Sequence, residues 1–177
     1  MRSTRFIPRP TLLLVSLLLP LTVLLSPVGA VTPSGLPNAT RTPGALNLAV
    51  TQNTISSTIC VPGYTKRIRP PESYTYALKV QQLHSGYSVN GDVLIHDYEE
   101  DHLIALEIGG NPTSVKNLWP EPWRGGATTK WNASVKDRLE NRLHQLVCYG
   151  NLPLATAQHA MATNWEAAYL HYVGPLG

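Results

Sequence analysis

The sequence predicts an α+β domain: a small irregular β-hairpin packed on a helix, with additional helices flanking it. Three observations carry this. Two short apolar runs, residues 103–108 and 117–119, are separated by Gly109-Gly110 and Asn111-Pro112, which are strong turn signals. The stretch 128–147 places Val135, Leu139, Leu143 and Leu146 at the spacing of one helix face. A second helical pattern, 154–171, gathers Ala157, Met161, Trp165, Ala168 and Tyr169 on one side.

In chain order, the 177 residues open with Arg2, Arg5 and Arg9, then an apolar run over 11–25, then Val28-Gly29-Ala30. Residues 1–30 read as a secretory signal peptide ending in a small-x-small cleavage pattern. The segment is too short and wrongly flanked for a membrane span. The expected product is therefore secreted or extracytoplasmic, without stable membrane association after cleavage. Residues 31–57 are rich in Thr, Pro, Gly, Asn and Ala and nearly uncharged, and read as a flexible tether. The domain then occupies 58–177.

Within the domain, 59–64 reads as an extended piece ending at Pro62-Gly63, and Arg69-Pro70-Pro71 blocks a helix. Ser73 is placed to cap a helix over 74–84. Gly86 and Asn90-Gly91 mark turns, and 92–98 is a strand or an extended approach to the acidic run that follows. The apolar runs 103–108 and 117–119 are the expected hairpin arms, the second closed by Pro120 and Pro122. Gly125-Gly126 is a hinge, and Tyr149-Gly150-Asn151 ends the long helix.

Removing the first thirty residues leaves eleven basic against eleven acidic side chains, so overall charge gives no support for nucleic-acid binding. The distribution says more. Residues 61–79 carry a net +3, 92–121 a net −6 and 122–142 a net +3. An acidic centre repels a phosphate backbone unless a cation sits in it. The only two cysteines, Cys60 and Cys148, in an exported chain imply one disulfide. Such a long-range crosslink is worth roughly 4–5 kcal/mol in the chain-entropy model.

The residues suited to chemistry gather between Tyr98 and Pro122. Asp101 offers an oxygen ligand to a hard divalent ion. His102, next in sequence, points to the other side of the backbone and is free to take a proton from water. Asn117, across the hairpin, is placed to hold the other ring nitrogen of His102. The helix must supply the second ligand from the polar face opposite its apolar stripe, with His144 first, Asn141 second and Glu140 third. Lys66, Arg67 and Arg69 are candidate phosphate contacts.

The strings EEDHLIALEIGG, NLWPEP and KDRLENRLHQLVC resemble the HNH branch of the ββα-metal nucleases. The similarity is closer to small exported proteins of that superfamily, with ICVPGY at 59–64 and AQHAMATNW at 157–165. The resemblance covers roughly 58–172 and implies a ββα-metal core. His102 would match the general base, Asp101 the metal-binding acid and Asn117 the middle asparagine. The third family residue would be His144 or Asn141. The chain lacks the Cys-x-x-Cys-His knuckle common in that family, and WPEPWRGG lengthens the path from Asn117 to the helix. The expected function is a metal-dependent endonuclease acting on DNA or RNA, with one divalent ion, Mg²⁺ first and Mn²⁺ or Zn²⁺ as alternatives. Two other readings are a non-catalytic extracellular binding domain that keeps the fold, and a glycan hydrolase using Glu99, Glu100 or Glu107.

Overall fold

The computed structural model describes residues 35–123 and 130–176, together with Met1. The expected signal peptide and the Gly125-Gly126 hinge therefore lie outside the described residues, apart from Met1. In chain order the elements are α1 (Tyr64–Ile68), α2 (Glu72–Gln82), β1 (Tyr98–His102), β2 (Leu118–Pro122), α3 (Ala133–Cys148) and α4 (Leu154–Tyr172). Among the described residues this is an α+β arrangement with one two-stranded antiparallel sheet.

Helix α3 follows its sequence pattern closely. The Asn132 side chain accepts a hydrogen bond from Val135 N at 3.3 Å, which satisfies one of the unpaired donors of the first turn. Its inward stripe is Val135, Leu139, Leu143 and Val147; Leu146, expected in that stripe, is only half-buried. Helix α4 packs Ala157, Met161, Trp165, Ala168 and Tyr169 into the same core. Burying each large aliphatic side chain is worth about 1.5–3 kcal/mol, so this helix pair is the main apolar contribution. Cys148, at the end of α3, is bonded to Cys60, with Cα atoms 5.6 Å apart. That disulfide ties the start of the domain to its long helix and fits an oxidising compartment. Among the described residues no helix is long and apolar enough to cross a membrane.

The hairpin differs from expectation. Its first arm is the acidic run, with Tyr98 opposite Pro122, Glu100 opposite Pro120 and His102 opposite Leu118. Residues 103–108 are instead a buried loop ending in a 3-10 turn, Leu106–Ile108. The reason is local backbone pairing: Ile104 N donates to Asn117 Oδ1 and Ile104 O accepts from Asn117 Nδ2, which takes the place of a strand ladder, while Leu103, Ile104, Ala105, Leu106 and Ile108 are each at most 4 % exposed. Gly109 lies at φ 83°, and a Cβ on Gly110 would stand 1.7 Å from Ile104 O, so only glycine allows the loop to close there.

Other expectations also shift. Helix α2 begins at Glu72 after Pro71, with Ser73 inside its first turn and not at the cap. The Pro62-Gly63 turn leads into α1, a short helix not foreseen. From Gly35 onward the expected tether is laid onto the domain. Gly44 N donates to Lys116 O at 2.9 Å, Asn111 N to Ala45 O at 2.8 Å, and Asn47 N to Gly109 O at 2.9 Å. Thr42 is fully buried and Val50 joins the core. Backbone pairing with the 109–116 loop fixes this segment despite its flexible composition.

Candidate functional site

Strand alternation divides the acidic run between two faces. Glu99 and Asp101 share one face, and Tyr98, Glu100 and His102, all buried, share the other. Helix α2 is held against the hairpin by Lys79 Nζ, which donates to Tyr98 O at 2.8 Å, and by Gln82 Nε2, which donates to Leu118 O at 3.0 Å. The Tyr98 hydroxyl accepts from Val89 N and donates to Asp92 O, pinning the preceding loop over the strand.

Asp101 meets a side chain that sequence reasoning missed. Lys136, from α3, is fully buried, and its ammonium donates to Asp101 Oδ2 at 2.5 Å, to His102 O at 2.8 Å and to Glu140 Oε1. Glu121 Oε2 lies 3.7 Å from the same nitrogen. All three donors of the ammonium are used. Burial alone would lower the Lys136 pKa, but Asp101, Glu140 and Glu121 together raise it well above the usual value. Burial would raise Asp101, yet the Lys136 ammonium holds it well below the usual carboxylate range. Burial dominates at Glu121, pushed well up, and at Glu140, pushed up to about 8. One ammonium thus faces three acids, and burial works against a charge on Glu121 and Glu140. The signal in the sequence was Lys136 itself: it sits three residues before Leu139, on the inward stripe, where a cation requires buried partners.

The expected helix ligands are dispersed. His144 Nε2 bonds Ile59 O at 2.9 Å, beside the disulfide, and Asn141 Nδ2 donates to Asp137 O at 2.8 Å. Only Glu140 shares a partner with Asp101, and that partner is Lys136, standing between them. A divalent ion therefore does not fit between Asp101 and α3 in this arrangement. His144 does lie with the sulfurs of Cys60 and Cys148 in a cluster within 4.8 Å. Their disulfide takes both thiols out of metal chemistry.

His102 is 2 % exposed, and its Nε2 lies 3.0 Å from Pro112 O. A carbonyl only accepts, so Nε2 carries the hydrogen and Nδ1 is left with its lone pair. Burial lowers the ring's pKa, which favours this neutral form. The Asn117 side chain bonds backbone groups and not the ring, contrary to expectation. Its Oδ1 accepts from Ile104 N at 2.9 Å, and its Nδ2 donates to Ile104 O at 3.0 Å and Asn111 O at 3.1 Å. Its amide shapes the loop whose Pro112 carbonyl holds His102, so it acts as a positioning residue.

A groove of about 940 Å³ runs along β1 and α2, lined by Arg69, Lys79, His96, Glu99, Glu100 and His102 among others. Glu100 is 9 % exposed, and neither of its carboxylate oxygens has a hydrogen-bond partner in the protein. Burial first, then Asp101, pushes its pKa up to about 8; Glu99 is pushed up to about 7, again chiefly by burial. Of the basic residues expected to meet phosphate, Arg69 lines the groove. Arg67 lies over the Tyr64 ring at 5.9 Å, and Lys66 is exposed on α1. Glu107 lies in a smaller cavity of about 190 Å³ with His144. Comparison with protein-family models, curated proteins and solved structures finds no match.

Proposed function

We propose that the domain is an exported phosphodiester hydrolase of the HNH type, acting on DNA or RNA in the groove beside β1. The observation that carries this reading is the state of His102: its Nε2–H is spent on the Pro112 carbonyl, and a neutral ring leaves Nδ1 as a base. The order of hairpin then helix, with Asp101 and His102 adjacent on β1, supports a ββα-type core.

In this reading His102 takes a proton from water as the oxygen attacks phosphorus. Arg69 and Lys79 in the groove wall face the phosphate's negative charge. The P–O bond to the leaving nucleoside breaks, and the departing oxygen takes a proton from Glu100, the buried carboxylic acid of the same groove. Exposed Tyr76 and Trp123 in the groove lining offer faces on which bases stack. No step is routed through a metal, because Lys136 fills the place the resemblance would give it.

The pH dependence follows from the two shifts. A base works deprotonated, so the rate rises with pH through a value below the 6.5 of an ordinary histidine. An acid works protonated, so the rate falls as pH passes about 8. Turnover measured from pH 4 to pH 10 should therefore be bell-shaped, and Glu100→Gln should lose the alkaline limb along with most of the rate. A parent rate independent of pH above 8 would remove Glu100 from the proton transfer.

A second reading, the non-catalytic binding domain, is favoured by the low exposure of His102, at 2 %. It predicts nucleic-acid binding without turnover.

A further inference from the structure

The oxygens around Lys136 Nζ form an unusual set. They are one backbone carbonyl, from His102, and three carboxylates, from Asp101, Glu140 and Glu121. Carboxylates plus a main-chain carbonyl are the donors that hard divalent cations take from proteins. They come from both strands of the hairpin and from α3, so only the folded domain brings them together. Glu121 is an independent sign that the pocket is built around a cation. It is 0 % exposed, no backbone group bonds its oxygens, and the groups facing it are the Lys136 ammonium at 3.7 Å and the Asp101 carboxylate. A carboxyl group buried without partners on an apolar wall would be strongly disfavoured.

We infer that these four groups form a hard-cation cage whose resident cation is the Lys136 ammonium, and that removing this side chain turns the cage into a divalent-metal site. The geometry supplies the reason. A lysine stem from α3 delivers one positive charge to the point where the carboxylates converge, at no cost in ion concentration. Its three donors saturate Asp101, His102 O and Glu140. Truncating it leaves the same oxygens facing a void with no internal counter-charge. A small hard ion such as Mg²⁺, Mn²⁺ or Ca²⁺ then supplies both charge and coordination. The inference does not depend on whether the neighbouring groove hydrolyses phosphodiesters, because its readouts are ion binding and melting.

The test uses the full, oxidised chain as parent and as Lys136→Ala. Mn²⁺ binding is followed by electron paramagnetic resonance and calorimetry, and melting is followed with Mn²⁺, Mg²⁺, Ca²⁺ or chelator. The parent should take up no ion at this position, and its melting temperature should be the same in ion and in chelator. Lys136→Ala should melt lower in chelator, bind one Mn²⁺, and regain about 5 °C or more when the ion is saturating. That gain should vanish in Lys136→Ala/Asp101→Asn. A folded Lys136→Ala that binds nothing overturns the cage. If Lys136→Ala does not fold in chelator, folding restored by Mn²⁺ supports the inference and failure to fold in either condition overturns it. Parent protein that binds one Mn²⁺, and loses it in Asp101→Asn, also overturns it, by making the ion and not the lysine the resident cation.

Discussion

His102→Ala is expected to lower turnover on nucleic acid by about 10²–10⁴-fold, the usual worth of a positioned general base. Binding should survive, because the phosphate contacts proposed above are Arg69 and Lys79 in the groove wall and not the ring. The residual rate should also lose its acidic limb, because the ring whose deprotonation that limb reports is gone. The ring is buried, so the substitution removes some packing as well. Melting of the variant therefore has to be followed alongside kinetics, and the rate loss must hold where the variant is folded. His102→Gln separates the two effects: its amide can still donate to Pro112 O but cannot act as a base. A His102→Gln protein with parental turnover would make the histidine structural.

Lys136→Met is expected to cost about 3–5 kcal/mol of folding stability, the usual penalty for removing one member of a buried ion pair. Methionine keeps much of the apolar stem, so the loss reports on charge more than on volume. Asp101 Oδ2 and His102 O lose the donor that holds them at 2.5 and 2.8 Å. Combining Lys136→Met with Asp101→Asn should cost less than the sum of the two single changes, because each alone leaves the other's group uncompensated. Urea unfolding gives all the values needed for the cycle. A single-variant loss below about 1 kcal/mol would place Lys136 with ordinary surface pairs and remove it as the centre of the cluster.

The two long helices were legible in the sequence because their apolar periodicity runs over several turns and each fills one side of the core. The Cys60–Cys148 pair was legible from cysteine number alone. Strand β1 was not, because strands are recognised by apolar residues at alternate positions, whereas here two of the three inward positions are Glu100 and His102. A strand that lines a polar groove hides its own signal. Residues 35–57 were misjudged for a related reason: much of what fixes them is backbone bonding to the 109–116 loop, which leaves no trace in hydropathy. At the site, the pairing of acid and base on adjacent residues of β1 could be read from their order. What could not be read was the tertiary partner of each. Pro112 took the role expected of Asn117, and Lys136 took the position expected of an ion. Both partners come from parts of the chain whose local pattern describes only a turn or an amphipathic helix.

The central claim is that the groove beside β1 hydrolyses phosphodiesters with His102 as base. The most direct test incubates the oxidised protein with end-labelled DNA and RNA, single- and double-stranded, in chelator at pH 7 and resolves the fragments. The account predicts cleavage of at least one substrate by the parent, with Lys136 intact and no added metal, and little or none by His102→Gln. Parent protein that binds these nucleic acids and leaves every one of them whole, with or without divalent ions, would contradict it.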